Sequence, residues 1–550
     1  MFSNPHKKMP QYIRDHKKDF LAFSIAIAFF IVFSIFSILQ YYSLGVSAFD
    51  LGVNAQELYS FLHTGSFYTP LLGENALAQH FTLFKFLQVP LYYLFPSPIT
   101  LTIFEDIFIA LAGYIVYLIS MHLLKDHIKS KKILFLVSMG FLLSYEFSPF
   151  SESLVSFPFH NMAFLPFFFL LAFYAFLVER RILHIVSIIF IISLHANFVY
   201  IVAVLLLYEF LFLHTCRGKK INTWFLHNIN SRKIQNFTIF VLSIILLYGY
   251  LILAGLIKLH LEGISSFSVV PTTGETGTPA GSPIGLVLLL FEKPSEFVSL
   301  ITSVHGEKVF YINLLLKSNL YLALFSPMSL LLSLPYMLYA VPSSYASYYQ
   351  LGYQYSAMVI GAIYISAIMG GYNIIRLGKY IYRHSEQLQL KLKKILNHKL
   401  VSNEIVIISI LIVLILAISL PYGILTPLEL EPKNNGGSQM NNIYREIPSA
   451  TSTFLINLSE HIPKNSYILT ENNLMPYFSN NIHIYITPYA PSYHNNLSKF
   501  QYMIIQYNSF WATTGGNHSL QSIVNSELEN GNYSIIDSYK PGLILVLQRR

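Results

Sequence analysis

Asp50, Asn54 and Glu57 follow one another at helical spacing, i, i+4 and i+7, directly after an apolar run without charge that extends from Leu21 to Tyr42. That spacing puts the three polar groups on one helical face, with Leu51, Ala55, Leu58 and Leu62 forming an apolar stripe beside them. A carboxylate at the mouth of a membrane helix is costly to hold there, and its default reading is functional. Asp50 is the first candidate for such a functional role. Gln56, Glu57, His80, Lys85 and His160 on the same outer side, with His195 and Asn197 inside an otherwise apolar hairpin, are candidate substrate-binding groups.

Each residue also has a plainer reading. Asp50 would cap the helix that follows it. Glu57 would be a solvated surface residue. His195 and Asn197 would be a neutral polar pair tying helices together. Lys85 would snorkel to a headgroup. Glu152 and His160 would cap the segments that follow them.

The elements that must position these groups are membrane helices. The chain of 550 residues is 54% hydrophobic and only 11% charged, with a mean hydropathy of +0.52, where a soluble chain would carry about 25% charged residues. Aromatics reach 15%, as expected of rings that anchor helices at interfaces. The single cysteine excludes an internal disulfide framework and a cysteine-based metal site. The net charge of +8 lies mostly between apolar spans, so it reads as a topology signal and not as a nucleic-acid surface. The basic segment 1–20 precedes an apolar run longer than a signal-peptide core and reads as the start of an uncleaved first span.

Apolar runs predict about eleven spans: Leu21–Tyr42, Pro98–Leu124, Ile133–Pro149, Met162–Val178, Ile182–Ala196, Phe198–His214, Phe237–Leu259, Val309–Phe325, Met328–Val341, Tyr355–Ile375 and Ile405–Leu420. With the N-terminus cytoplasmic, the basic linkers all fall inside. The outer segments are then Ser43–Ser97, Phe150–His160, His260–Lys308, Pro342–Gln354 and everything after Pro421. The organisation expected is a cytoplasmic N-terminus 1–20, a transmembrane domain 21–422 with outer loops 43–97 and 260–308, a linker 423–446, and an extracytoplasmic α/β domain 447–550. Gly65, Pro70, Gly73 and Pro90 divide the first outer loop into surface-lying pieces. "PTTGETGTPAGSP" reads as a mobile loop and "KNNGGSQMNN" as a linker. The segments "SYILTEN", "IHIYITP", "QYMIIQY" and "LILVLQ" read as strands of the C-terminal domain, which carries sequons at Asn457, Asn496, Asn517 and Asn532.

No Walker loop, Gly-x-Gly-x-x-Gly fingerprint, His-Glu-x-x-His or hydrolase triad signature is present, which argues against an energy-driven pump of the usual kinds. The stretch "FDLGVNAQELYSFLHTG…LGENALAQHFTLFKFLQVPLYYLFPSPITLTIFEDI" resembles the prokaryotic membrane family DUF2079. Phe49–Gln56, His80–Thr82 and Pro96–Pro98 carry the resemblance, with "FPFHNMAFLPFFFLLAFY" and "SEHIPKNSYILTENN" further along. The family often has acids in the fifth-to-sixth helix hairpin, where this chain has His195-Ala196-Asn197. The family in turn resembles the GT-C glycosyltransferases, polytopic enzymes with a long membrane-lying first outer loop and an acidic residue just after the first helix. The resemblance implies transfer of a sugar from a polyprenyl-phosphate carrier to an extracytoplasmic acceptor at the cell membrane, with membrane lipids as further partners. In that chemistry Asp50 would be the general base on the acceptor hydroxyl. Carboxylates at Asp50, Glu74 and Glu152 with His80 and His160 would hold Mg²⁺ or Mn²⁺, which favour oxygen ligands, with Glu74 and Glu152 as the dedicated ligands. A non-catalytic lipid-carrier handler or anchoring protein, and a small-molecule transporter, are the alternatives.

Overall fold

The computed structural model describes residues 17–212, 231–262, 283–303, 305–343, 345–384, 412–413, 449–487, 497–507, 520–540 and 543–550. The expected span Ile405–Leu420, the linker 423–446, most of the 1–20 segment and of the "PTTGETGTPAGSP" run, and the sequons at Asn496 and Asn517 lie outside them.

Four helices among the described residues are long and apolar enough to cross a membrane: Lys18–Tyr42, Pro98–Leu124, Phe240–Leu261 and Ile360–Tyr382. A fifth crossing results if Lys131–Glu146 and Pro149–Ser156, bent by 41° at their junction, are one span. Pro98–Leu124 is the hub: it packs on the Lys17–Tyr42, Lys131–Glu146 and Leu165–Leu177 helices.

Several expected spans are shorter or interrupted. The Asn161–Leu177, Arg181–Leu194 and Ala196–Leu211 helices are apolar but short. The expected span Val309–Phe325 stops at Lys317, because the buried Asn319 turns its amide onto Leu315 O at 3.0 Å and Leu320 and Tyr321 take positive φ. The expected span Met328–Val341 divides into Pro327–Leu330, Leu331–Ser333 and Leu334–Ala340, the first and the last carrying a proline in their first turn, where the missing N–H costs least. The 283–302 part of the long second outer loop is helical, as Pro283–Glu292 and Pro294–Thr302.

The 43–97 segment consists of short pieces. A π-helical turn Ala48–Gly52 runs straight into the Val53–Thr64 helix, which Gly65 ends at φ 73°. The hairpin of β1 (Tyr68–Thr69) and β2 (Glu74–Asn75) follows, then the Lys85–Leu94 helix. That last helix buries Lys85, Gln88 and Tyr92 on one face and exposes Phe86, Leu87, Tyr93 and Leu94 on the other, the pattern of a helix lying in a membrane interface.

The C-terminal part contains a five-stranded sheet formed by β3 (Ile468–Thr470), β4 (Ile484–Ile486), β5 (Tyr502–Ile505), β6 (Tyr533–Tyr539) and β7 (Ile544–Arg549), in the order β4-β3-β5-β7-β6. β4, β3 and β5 are parallel, while β7 pairs antiparallel with both β5 and β6. Alternation assigns its two faces. Leu469, Met503, Ile505 and Leu547 pack against Leu520 and Val524 of the Leu520–Glu529 helix. Ile468, Ile504 and Val546 turn to the other side, where Leu455 and Leu458 of the Ser449–His461 helix continue the same apolar core into the membrane helices.

Candidate functional site

The polar residues of the 43–97 segment meet those of two helix breaks in one cavity. Asp50, Asn54, Glu57, His80, Lys85, His160, Asn161 and His195 all line a polar chamber of about 160 Å³. His80, His160, Met162 and His195 also line a second, larger chamber of about 470 Å³, so the two share a wall of three imidazoles. The larger chamber is apolar and aromatic. Tyr200, Ile201 and Val204 line it from the Val199–Phe212 helix, Leu338 and Tyr339 from Leu334–Ala340, and Tyr348, Tyr355 and Met358 from the segment after it.

Asp50 sits in the π-helical turn, which the Gly52 N–H closes onto Ser47 O at 3.1 Å. The Ser47 hydroxyl donates to Asp50 Oδ2 at 3.3 Å, and Asn54 Nδ2 holds the Asp50 backbone carbonyl at 2.8 Å. Its carboxylate therefore caps no helix; it faces the chamber. Burial pushes the Asp50 carboxyl up to about 7, with the Ser47 hydroxyl opposing the shift.

Glu57 is not a solvated surface residue. It is 2% exposed, and Lys85 Nζ donates to its Oε2 at 2.6 Å. Lys85 does not snorkel: it is buried, and its ammonium also donates to Asn54 Oδ1. Asn161 Nδ2 donates to the same Asn54 oxygen at 3.1 Å, and Gln88 Nε2 donates to Asn161 Oδ1 at 2.7 Å. One buried web thus ties the Val53–Thr64 helix, the Lys85–Leu94 helix and the Asn161 turn together. Burial raises the Glu57 carboxyl, and the Lys85 charge beside it pulls the other way.

His160 and His195 play matching parts. Each is an extended residue that starts a short 3₁₀ turn, Asn161–Phe164 and Ala196–Phe198. In each the Nδ1 accepts the backbone N–H two residues on, from Met162 at 3.1 Å and Asn197 at 3.1 Å. An imidazole whose Nδ1 accepts carries its proton on Nε2, so each ring keeps a donor for a ligand. His160 is a cap, as one reading holds, and a cavity residue as well. The His80 and His195 ring centroids are 4.9 Å apart. Burial lowers His80 to about 4 and His160 to about 3, so both are neutral at physiological pH.

Gln56 stands apart from the cavity. It is fully buried, its Nε2 donates to Asn481 O at 3.2 Å and Ile482 O at 3.3 Å, and its Oε1 accepts from Thr69 Oγ1 at 2.5 Å. Its amide is committed to holding the loop on the C-terminal unit. Asn197 lines the aromatic chamber only. Glu74, in β2, and Glu152, wholly buried in the Pro149–Ser156 helix, line neither chamber. Among the described residues no three His, Cys, Asp or Glu side chains converge on a point that could hold a metal ion. The Mg²⁺ or Mn²⁺ set of Asp50, Glu74, Glu152, His80 and His160 is therefore not assembled.

Two contributors are absent from the sequence-based set. Glu105, in the Pro98–Leu124 span, accepts the His160 backbone N–H at 3.0 Å and so positions that ring. Its signal is an acidic pair, Glu105-Asp106, inside an apolar run. Lys258, near the end of the Ser231–Glu262 helix, adds positive field at His80. Nothing in its local sequence marks it.

A helical membrane architecture with a polar cavity beside the 43–97 segment and an aromatic chamber adjoining it across three histidines defines the class of protein. The model of the family described as "Predicted membrane protein (DUF2079)" matches residues 40–545, and the chain belongs to that family. No curated protein matches it in sequence. Among solved structures, it is similar to ArnT from Cupriavidus metallidurans bound to undecaprenyl phosphate, at 9% identity over 95% of this chain and 97% of that one, with a TM-score of 0.45. The apo state of the same ArnT gives 9% identity, the same coverages and a TM-score of 0.46.

Proposed function

We propose that the protein is a membrane glycosyltransferase of GT-C type that moves a sugar from a polyprenyl-phosphate carrier to an acceptor outside the cytoplasm. The observation that carries this reading is the pair of adjoining chambers, one polar and holding a carboxylate, one aromatic, with three histidines between them. A prenyl phosphate has that same division: an apolar chain, an anionic junction and a polar sugar. In this reading the head end of the chain occupies the aromatic slot. The phosphate lies at His80, His160 and His195, where the fixed Nε2–H groups of His160 and His195 donate to it and Lys258 supplies positive field. The sugar lies in the polar chamber beside Asp50.

The step is a single displacement. Asp50 takes the proton of the acceptor hydroxyl, the acceptor oxygen bonds to the anomeric carbon, and the bond from that carbon to the phosphate oxygen breaks. Polyprenyl phosphate leaves with the electron pair, stabilised by the imidazole donors, and needs no acid. Lys85 is left out of phosphate binding, since Glu57 and Asn54 occupy it. The reading also takes about eleven spans, with residues 21–422 in the membrane, the N-terminus cytoplasmic and residues 447–550 outside.

A polyprenyl phosphate carrying a photoreactive diazirine in its first isoprene units tests the slot. The expected crosslinks fall on peptides from 198–204 and 334–358 of the detergent-purified chain, and excess unlabelled carrier suppresses them. Labelling confined to exposed apolar faces, such as Leu242–Leu256, contradicts the reading.

A further inference from the structure

The first outer loop is gripped along its length by one segment of the C-terminal unit, residues 472–482. At the loop entry, the Tyr477 hydroxyl donates to Tyr41 O. At its middle, Gln56 Nε2 reaches Asn481 O and Ile482 O. At its exit, the Tyr92 hydroxyl donates to Asn480 Oδ1 at 2.7 Å and Asn480 Nδ2 donates to Pro96 O at 2.6 Å.

The contact at the Asp50 turn is the most specific. The first N–H groups of any helical turn lack partners within it and need a cap. Ser47 holds the N-cap position of the Ala48–Gly52 turn but makes no capping bond, because its hydroxyl is turned to Asp50. The missing cap comes from the other end of the chain: Asn472 Oδ1 accepts the Ala48 N–H at 2.9 Å. On the far side of the same turn Met475 and Pro476 lie so close to Gly52 that a Cβ there would run into Met475 Sδ.

We infer that the 472–482 segment is a positioning element for Asp50: Asn472 caps the turn in place of Ser47, which frees Ser47 to hold the carboxylate, and Met475 closes on Gly52 to fix the turn. The C-terminal unit thereby sets the aim of a residue more than four hundred positions away. The assignment to catalysis rests on the proposed role of Asp50; the mechanical part does not.

The test uses the full-length chain and a diazo ester reagent that modifies only protonated carboxyls, with the yield at Asp50 read by peptide mass spectrometry across pH. Wild type loses labelling at Asp50 around pH 7, and exposed Asp537 serves as the reference for reagent reactivity. In Asn472→Ala the loss of Asp50 labelling moves toward the ordinary carboxylate range, and Asp537 is unchanged. Gly52→Ala gives the same displacement, and Gly52→Ala with Met475→Ala, which makes room for the new methyl, restores the wild-type curve. With carrier and acceptor supplied, Asn472→Ala lowers kcat by about tenfold or more with KM for the carrier unchanged. An Asp50 labelling curve identical in wild type, Asn472→Ala and Gly52→Ala overturns the inference. If Asp50→Asn remains fully active, the catalytic reading fails while the labelling curves still decide the positioning.

Discussion

Asp50→Asn lowers sugar transfer by about 10²–10⁴-fold, the usual contribution of a positioned general base, while the protein still folds and still binds carrier. Asparagine keeps the shape of the side chain and still accepts from Ser47 through its amide oxygen, but it cannot take a proton. The pH dependence follows from the same group. The working form of Asp50 is the carboxylate, and burial holds its midpoint at about 7, so kcat/KM rises with pH through about 7 and then levels off. The facing imidazoles His80 and His160 do not produce that limb. His80 and His160 gain protons only near 4 and 3, and the Lys85 ammonium is paired with Glu57. The expected profile of the residual activity in Asp50→Asn is flat across this range. Initial rates of the two proteins between pH 5 and 9 check both statements.

Lys85→Met destabilises the protein by about 3–5 kcal/mol, because it leaves the Glu57 carboxylate buried without its ion-pair partner. Lys85 Nζ and Glu57 Oε2 are 2.6 Å apart with 4% and 3% of their side chains exposed, so water cannot replace either partner. The double variant Lys85→Met with Glu57→Leu recovers most of the loss, since an apolar pair of similar volume removes both charges together. Thermal unfolding of the four proteins in one detergent measures the cycle. A phosphate-binding Lys85 would behave differently: Lys85→Met would weaken carrier binding with little change in stability, and Glu57→Leu would not rescue it.

Much of the site can be read from the sequence as a set of residue types, and little of it as an arrangement. Asp50 stands out because a charge follows an uncharged apolar run, and His195 because it interrupts one. What brings them together is tertiary: the breaks at His160 and His195 fold two short helix starts against the first outer loop, 30 residues or more from any partner in sequence. Helical periodicity put Asp50, Asn54 and Glu57 on one face, but it cannot distinguish a face covered by water from one covered by Lys85. Gln56 reads as a candidate substrate-binding group, and its side-chain amide instead holds the backbone carbonyls of Asn481 and Ile482. The ends of Pro98–Leu124 are legible to the residue, since proline begins the helix and charged residues follow it. The interruption at Leu320 and Tyr321 is not, because the Asn319 amide that causes it looks like any other in an apolar run. All four strands expected after residue 447 are present. β6 is the one missed: its outer positions, Ile535 to Ser538, face solvent on an edge strand, so its composition lacks the apolar alternation of a half-buried one.

Native mass spectrometry of the detergent-purified protein, wild type beside Asp50→Asn, tests the central claim most directly. The expected result is a co-purifying polyprenyl phosphate on the wild type and accumulation of its sugar-charged form on Asp50→Asn, with the added mass identifying the sugar. Bulk phospholipid alone on both proteins contradicts a carrier-dependent transferase.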